Sequence, residues 1–253
     1  MQPELTAGVV FALLLASIWF GILFRRLLPE DHFNADTKEC VKLAMGLVAT
    51  MTALLLGLLV SSAKGSYDAN RGYVIQMAAK VTLLDRALEL YGPETTVLQS
   101  DLRAAVWDAA SRIWPNDPAL PAQLAPDKPG GDKLYEKILS LAGESELHKN
   151  LRTLAANLAV EIGQFRALLM AQSIPSVSML LHGMVVLWLV VIFFCFSLIA
   201  PANKTSALVL VVSALSVAGA VMLLLELDRP FDGLVKVSGE PLFQLLHMLA
   251  RGS

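Results

Sequence analysis

Four uncharged apolar stretches, Leu5–Phe24, Leu43–Ala63, Ile174–Ala200 and Thr205–Leu225, set the terms on which this chain folds. Each is at least as long as the roughly 20 residues that a helix needs to cross the hydrocarbon core of a bilayer. Apolar residues make up 55% of the chain and charged residues only 17%, a departure from soluble averages that the four stretches account for. The first stretch reads as a retained span. Its leading segment Met1–Thr6 carries no Lys or Arg, and its apolar run ends at Arg25-Arg26 rather than at a cleavage signal.

The expected organisation is an all-α membrane protein of four transmembrane helices arranged as two hairpins. Residues 1–63 form the first hairpin, and residues 64–173 form an inserted extramembrane helical bundle with a Pro/Gly-rich connector at 115–131. Residues 174–227 form the second hairpin, and residues 228–253 supply a turn and a short amphipathic helix. Lys and Arg are nearly balanced between the first loop and the edges of the insertion, so charge leaves orientation undecided. An even number of spans places both termini and the insertion on one side.

Within the insertion, Val74, Met77, Val81, Leu84, Leu88 and Tyr91 recur at steps of three and four, a heptad-like stripe that Gly92-Pro93 ends. A second amphipathic helix is expected from Leu98, Leu102, Ala105, Ala109 and Ile113. A third is expected from Leu147, Leu151, Leu154, Leu158, Ile162, Phe165 and Leu169. Five prolines and two adjacent glycines between Pro115 and Gly131 exclude a continuous helix there. Asp36, with Glu39 three residues on, is the expected cap of the helix leading into the second span. Pro175 is expected to kink the entry to the third span, and the short link Pro201–Lys204 makes spans three and four an antiparallel hairpin.

Several function classes fall away. A formal charge of −2 and the lack of any nucleic-acid-binding motif exclude nucleic acid as a partner. Cys40 and Cys195 support neither a disulfide framework nor a four-ligand zinc site. No phosphate-binding loop, His-Glu-x-x-His or Gly-x-Ser-x-Gly occurs, and the four histidines are scattered, so no catalytic residue and no cofactor is expected.

The second span has one feature that bears on function. Gly46, Thr50, Ala53, Gly57 and Ser61 recur at steps of four and three, which stacks small side chains on one helix face. Such a face serves close helix packing in lipid, or it lines a path when several copies surround an axis. The fourth span carries a weaker version in Ser206, Ser213, Ser216 and Ala220, whose hydroxyls are expected to bond their own backbone. His182, ionisable and near the start of the third span, is a candidate gating residue set against a structural role with one hydrogen bond. Glu226, Asp228 and Asp232 concentrate acid at the end of the fourth span. They read either as a capped turn with Gly233 in a left-handed position or as a vestibule ring that concentrates cations.

The residues Met45-Gly46-Leu47, Leu56–Lys64, Tyr67, Leu84-Asp85, Leu90-Tyr91-Gly92 and Leu227–Gly233 together resemble the bestrophin-like family of membrane proteins of bacteria and plants. The resemblance implies a homo-oligomeric ion channel, a pentamer-like ring, with the second span lining the pore and inorganic ions passing through it. It also implies an insertion and both termini on the cytoplasmic side, here of a bacterial inner membrane. Bestrophins proper have bulky residues at a narrow neck and a run of consecutive acids that clasps calcium. Here the face is small and Leu227, Arg229, Pro230 and Phe231 interrupt the acids, so calcium gating and anion selectivity do not carry over. The acids favour cations instead. The competing expectation is a non-conducting membrane scaffold or sensor that binds a partner protein through the stripes of the insertion.

Overall fold

The computed structural model describes residues 3–27, 29, 34–115, 120, 122–124, 130–143, 145–172, 179–201, 203–231, 233 and 235–251. Among these residues all regular structure is helical: α1 (Pro3–Arg25), α2 (Ala35–Tyr91), a 3₁₀ turn (Pro93–Thr95), α3 (Thr96–Ile113), α4 (Gly130–Leu139), α5 (Glu146–Gln172), α6 (Met179–Ile199), α7 (Lys204–Leu227) and α8 (Glu240–Arg251). Pro175 lies outside the described residues. The chain divides into two compact units, Met1–Gly65 with Pro175–Asp228, and Ser66–Ile174 with Arg229–Ser253.

The helix α2 belongs to both units. Its 57 residues contain no proline, and the isolated glycines within it cost only about 1 kcal/mol each against alanine, so nothing interrupts the hydrogen-bond ladder. Its 57 residues far exceed the roughly 20 that a bilayer core accepts. Its cap differs from expectation. Asn34 Oδ1 accepts a hydrogen bond from the Thr37 amide at 2.8 Å, so Asn34 is the cap, and Asp36 sits in the first turn with its carboxylate near the positive helix end.

In the first unit, α1 packs against both α6 and α7, more extensively than α6 and α7 pack against each other. The first span is therefore a shared centre rather than only half of a sequence-local hairpin. Val10, Leu14 and Ile18 of α1 are buried with Val185, Leu189 and Phe193 of α6 and with Ala214, Val221 and Leu224 of α7. The α1 and α6 helices run in the same direction, for an Arg25 guanidinium N–H donates to the Ala200 carbonyl just past the end of α6. That contact satisfies a carbonyl which a helix end leaves orphaned.

Their crossing is close at Gly21. A Cβ there would collide with the Ser197 side chain and lie 2.8 Å from the Phe194 carbonyl oxygen. In lipid, where no hydrophobic force holds helices together, such backbone approach is a main source of association. Gly21→Val is expected to destabilise the unit by about 1–3 kcal/mol. Gly8→Val, at a position where an added Cβ would meet nothing within 4 Å, is expected to be silent. Unfolding midpoints in a denaturing-detergent titration test this, and equal midpoints for the two variants would refute it.

The second unit is a helical bundle with two apolar clusters. Val74, Met77 and Val81 of α2 pack with Ile113, Leu169, Phe231, Leu242 and Leu245, while Leu84 and Leu88 pack with Leu98, Leu102, Ile138 and Leu158. All six residues of the α2 stripe are buried. The α5 stripe is different. Leu158 and Leu169 are buried, but Leu147 and Leu154 are exposed, and at that level Ala155 and Ala156 are the residues in the core. The helix α4 was not expected from the sequence. Its core contact is made by Leu134, Tyr135 and Ile138, behind two glycines.

Polar ties close the unit. Trp114 Nε1 donates to the Val237 carbonyl at 2.7 Å and the Tyr67 hydroxyl donates to the Lys236 carbonyl at 3.2 Å, which pins the strap that follows Arg229. The strap requires Gly239, where a Cβ would lie 2.5 Å from the Trp114 ring. Gly92, with φ of 132°, makes the turn between α2 and α3 that an L side chain would strain.

Among the described residues five helices are long and apolar enough to cross a membrane: α1, α2, α6, α7 and α5. The fifth, α5, qualifies at a much lower mean hydropathy than the others, and it carries Lys149, Arg152, Glu161 and Arg166.

Candidate functional site

The small-residue face of α2 is built by helix geometry alone. At about 100° per residue, Gly46, Thr50, Ala53, Gly57 and Ser61 fall within one narrow sector. All five are exposed, and nothing lies within 4 Å of where a Cβ would stand on Gly46 or Gly57. The opposite side of the same segment holds the chain's own contacts, with Thr52, Leu59 and Ala63 buried. Packing within the chain thus uses one side of α2 and leaves the small face bare.

Hydroxyl chemistry on this face is muted. Thr50 Oγ1 donates to the Gly46 carbonyl at 2.8 Å, so its proton goes to the helix backbone while its oxygen stays outward. The buried Thr52 does the same toward Val48 at 2.7 Å, and Ser216 of α7 toward Val212 at 2.9 Å. Beside the small face runs a second exposed row, Leu43, Leu47, Leu54 and Leu58. One sector of the helix is therefore open and the next is bulky and suited to lipid or to another helix.

The remaining candidates are placed as follows. Glu226 is only 2% exposed, so in a single chain its carboxylate is withdrawn from solvent. Asp228 caps α7 with its backbone N–H bonded to the Leu224 carbonyl, and it is half-buried. Asp232 lies outside the described residues. Gly233 takes φ of 101°, the left-handed turn position. His182 is half-buried in the first turn of α6. Among the described residues no three His, Cys, Asp or Glu side chains come together as metal ligands.

Several buried polar groups escaped the sequence reading, Asp85 and Asn70 among them. Asp85, 4% exposed, receives a fork of hydrogen bonds from Arg103 Nε and Nη2 at 3.2 and 3.3 Å, joining α2 to α3. Asn70, fully buried, donates to the Ser66 carbonyl at 2.9 Å. Its signal was available, since Asn70 lies four residues before Val74, where the heptad-like stripe next falls.

The bestrophin-like domain profile matches residues 8–242, nearly the whole chain. The chain belongs to the bestrophin-like family. No curated protein is similar enough to count as a match. Among solved structures, a mutant bacterial bestrophin homologue from Klebsiella pneumoniae superposes with a TM-score of 0.69, covering 97% of each chain at 14% identity. At that identity the likeness establishes a shared fold. Family membership together with the apolar helices makes this bestrophin-like chain an integral membrane protein.

Proposed function

We propose that this bestrophin-like protein is one subunit of a homo-oligomeric ion channel of a bacterial inner membrane, with the small face of α2 lining a central path. The observation that carries the reading is the bare sector Gly46–Ser61: a protein whose intrachain packing leaves a row of small side chains open has kept it for a neighbour or for water. The membership of a channel family favours water and ions over a neighbouring helix. In this reading α1, the first part of α2, α6 and α7 are the four spans. The charged α5 belongs to the extramembrane unit, and that unit and both termini lie on the cytoplasmic side.

Cation preference is the finer part of the proposal. It rests on Asp228 and Asp232, because the burial of Glu226 removes the third acid from a ring. The test is current through the purified protein in planar bilayers under asymmetric sodium and chloride gradients. A reversal potential near the sodium equilibrium value supports a cation path, and one near the chloride value refutes it. Silence from a verified intact oligomer at both voltage signs removes conduction and favours a scaffold that binds through the exposed Leu147 and Leu154.

A further inference from the structure

Between α3 and α5 the second unit holds a cavity of about 1000 Å³, at the upper end of the range for small-molecule pockets. It exists because the facing residues are small: Ala105 and Ala109 of α3 stand opposite Ala159, Gly163 and Ala167 of α5. A Cβ on Gly163 would meet nothing within 4 Å. Much of the wall is aliphatic, with Met77 and Val81 of α2 at its floor.

The charged lining is uneven. Arg112 is paired with Asp108, Nη2 to Oδ2 at 2.9 Å, and its Nε donates to the Asp108 carbonyl at 3.3 Å. Asp132 sits exposed at the rim. Arg166, half-buried, has no hydrogen-bond or ion-pair partner among the described residues. Burial lowers its affinity for the proton, the like charge of Arg112 adds to this, and Asp108 offsets part of it. A guanidinium partly removed from water and pushed by a second one is held at a cost that an anion would offset.

We propose that this cavity binds a fatty-acid anion, the aliphatic chain lying between α3 and α5 and the carboxylate meeting the Arg166 guanidinium. The placement of the charges selects the head group: Arg112 is matched to Asp108 and Asp132 is solvated at the rim, so Arg166 is the one half-buried charge of the lining without a bonded partner, and a single guanidinium suits a monovalent carboxylate better than a phosphate dianion. Arginine suits it by geometry as well, since its fork accepts a carboxylate in two parallel hydrogen bonds. The aliphatic wall selects the tail. This site stands whether or not α2 lines a path, so its test and the conduction test fail independently.

The test uses the full-length protein in lipid nanodiscs, photolabelled with palmitate bearing a terminal diazirine and mapped by peptide mass spectrometry. The expected result is labelling of α3 and α5 cavity peptides, competed by palmitate but not by hexadecanol, and reduced about tenfold or more in Arg166→Gln. Gly163→Leu, which fills the space and keeps the guanidinium, is expected to abolish the label without lowering the melting temperature. Labelling confined to the spans overturns the proposal, as does equal competition by hexadecanol. Persistent cavity labelling in Gly163→Leu, or a cavity shielded by a second copy of the chain and detected as an inter-chain cross-link, overturns it too.

Discussion

Gly57→Leu is expected to reduce ion current to background, on the order of tenfold or more, while the oligomer survives purification intact. Gly57 lies on the bare face, and open space surrounds the position where its Cβ would stand, so leucine adds bulk directed away from its own chain. If copies of this face surround an axis, every subunit adds a leucine at one level and the bulk closes the path. Leu58→Ala, in the neighbouring exposed row, removes bulk from a different sector and is expected to leave current unchanged. Size-exclusion with light scattering, run beside bilayer recording, separates the alternatives. Loss of the oligomer in Gly57→Leu would mean that the small face is a packing surface between helices, and the pore reading would fail.

Arg103→Leu is expected to lower the apparent melting temperature by about 5–10 °C, from a loss of about 2–3 kcal/mol in a chain of this size. Asp85 is almost fully enclosed at the packing of α2 on α3, and the Arg103 fork is its charged partner. Removing the guanidinium strands a buried carboxylate, and that desolvation dominates the loss. Because part of Arg103 reaches solvent, the effect belongs near the lower end of what such breaks cost. The double variant Asp85→Leu with Arg103→Leu is expected to recover most of the stability, since it removes both charges from the interior. A double variant as unstable as the single one would show that the side-chain shapes, rather than the charges, hold α2 to α3. Thermal melting of the purified protein followed by circular dichroism reads both outcomes.

Much of this architecture was legible from the order of residues. The α2 stripe from Val74 to Tyr91 has the helical period, and all six side chains are buried as the period requires. Leu147 and Leu154 have the same period and are exposed. Periodicity states which residues share a face but not which of two apolar faces a bundle covers, and in α5 the alanine face packs more closely. Capping was readable only to within two residues, for Asn34 and Asp36 are both competent and the hydrogen bond to Thr37 decides between them. The helix α4 was not legible in the sequence, since a ten-residue segment with two starting glycines has weak intrinsic preference and is held by Ile138 in the core.

Sequence alone determined the class of environment, the helical fold and the small face of α2, because hydropathic length and the 3.6-residue period are local properties. Tertiary structure decided what those faces meet. It showed that Gly46 and Gly57 look into open space and that Gly21 touches Ser197. It also withdrew Glu226 from solvent and placed Asp85 against Arg103. Gly21, Gly46 and Gly57 are the same residue in the same kind of apolar helix. Only the position of a second helix, set by contacts distant in the chain, distinguishes a packing crossing from an open face.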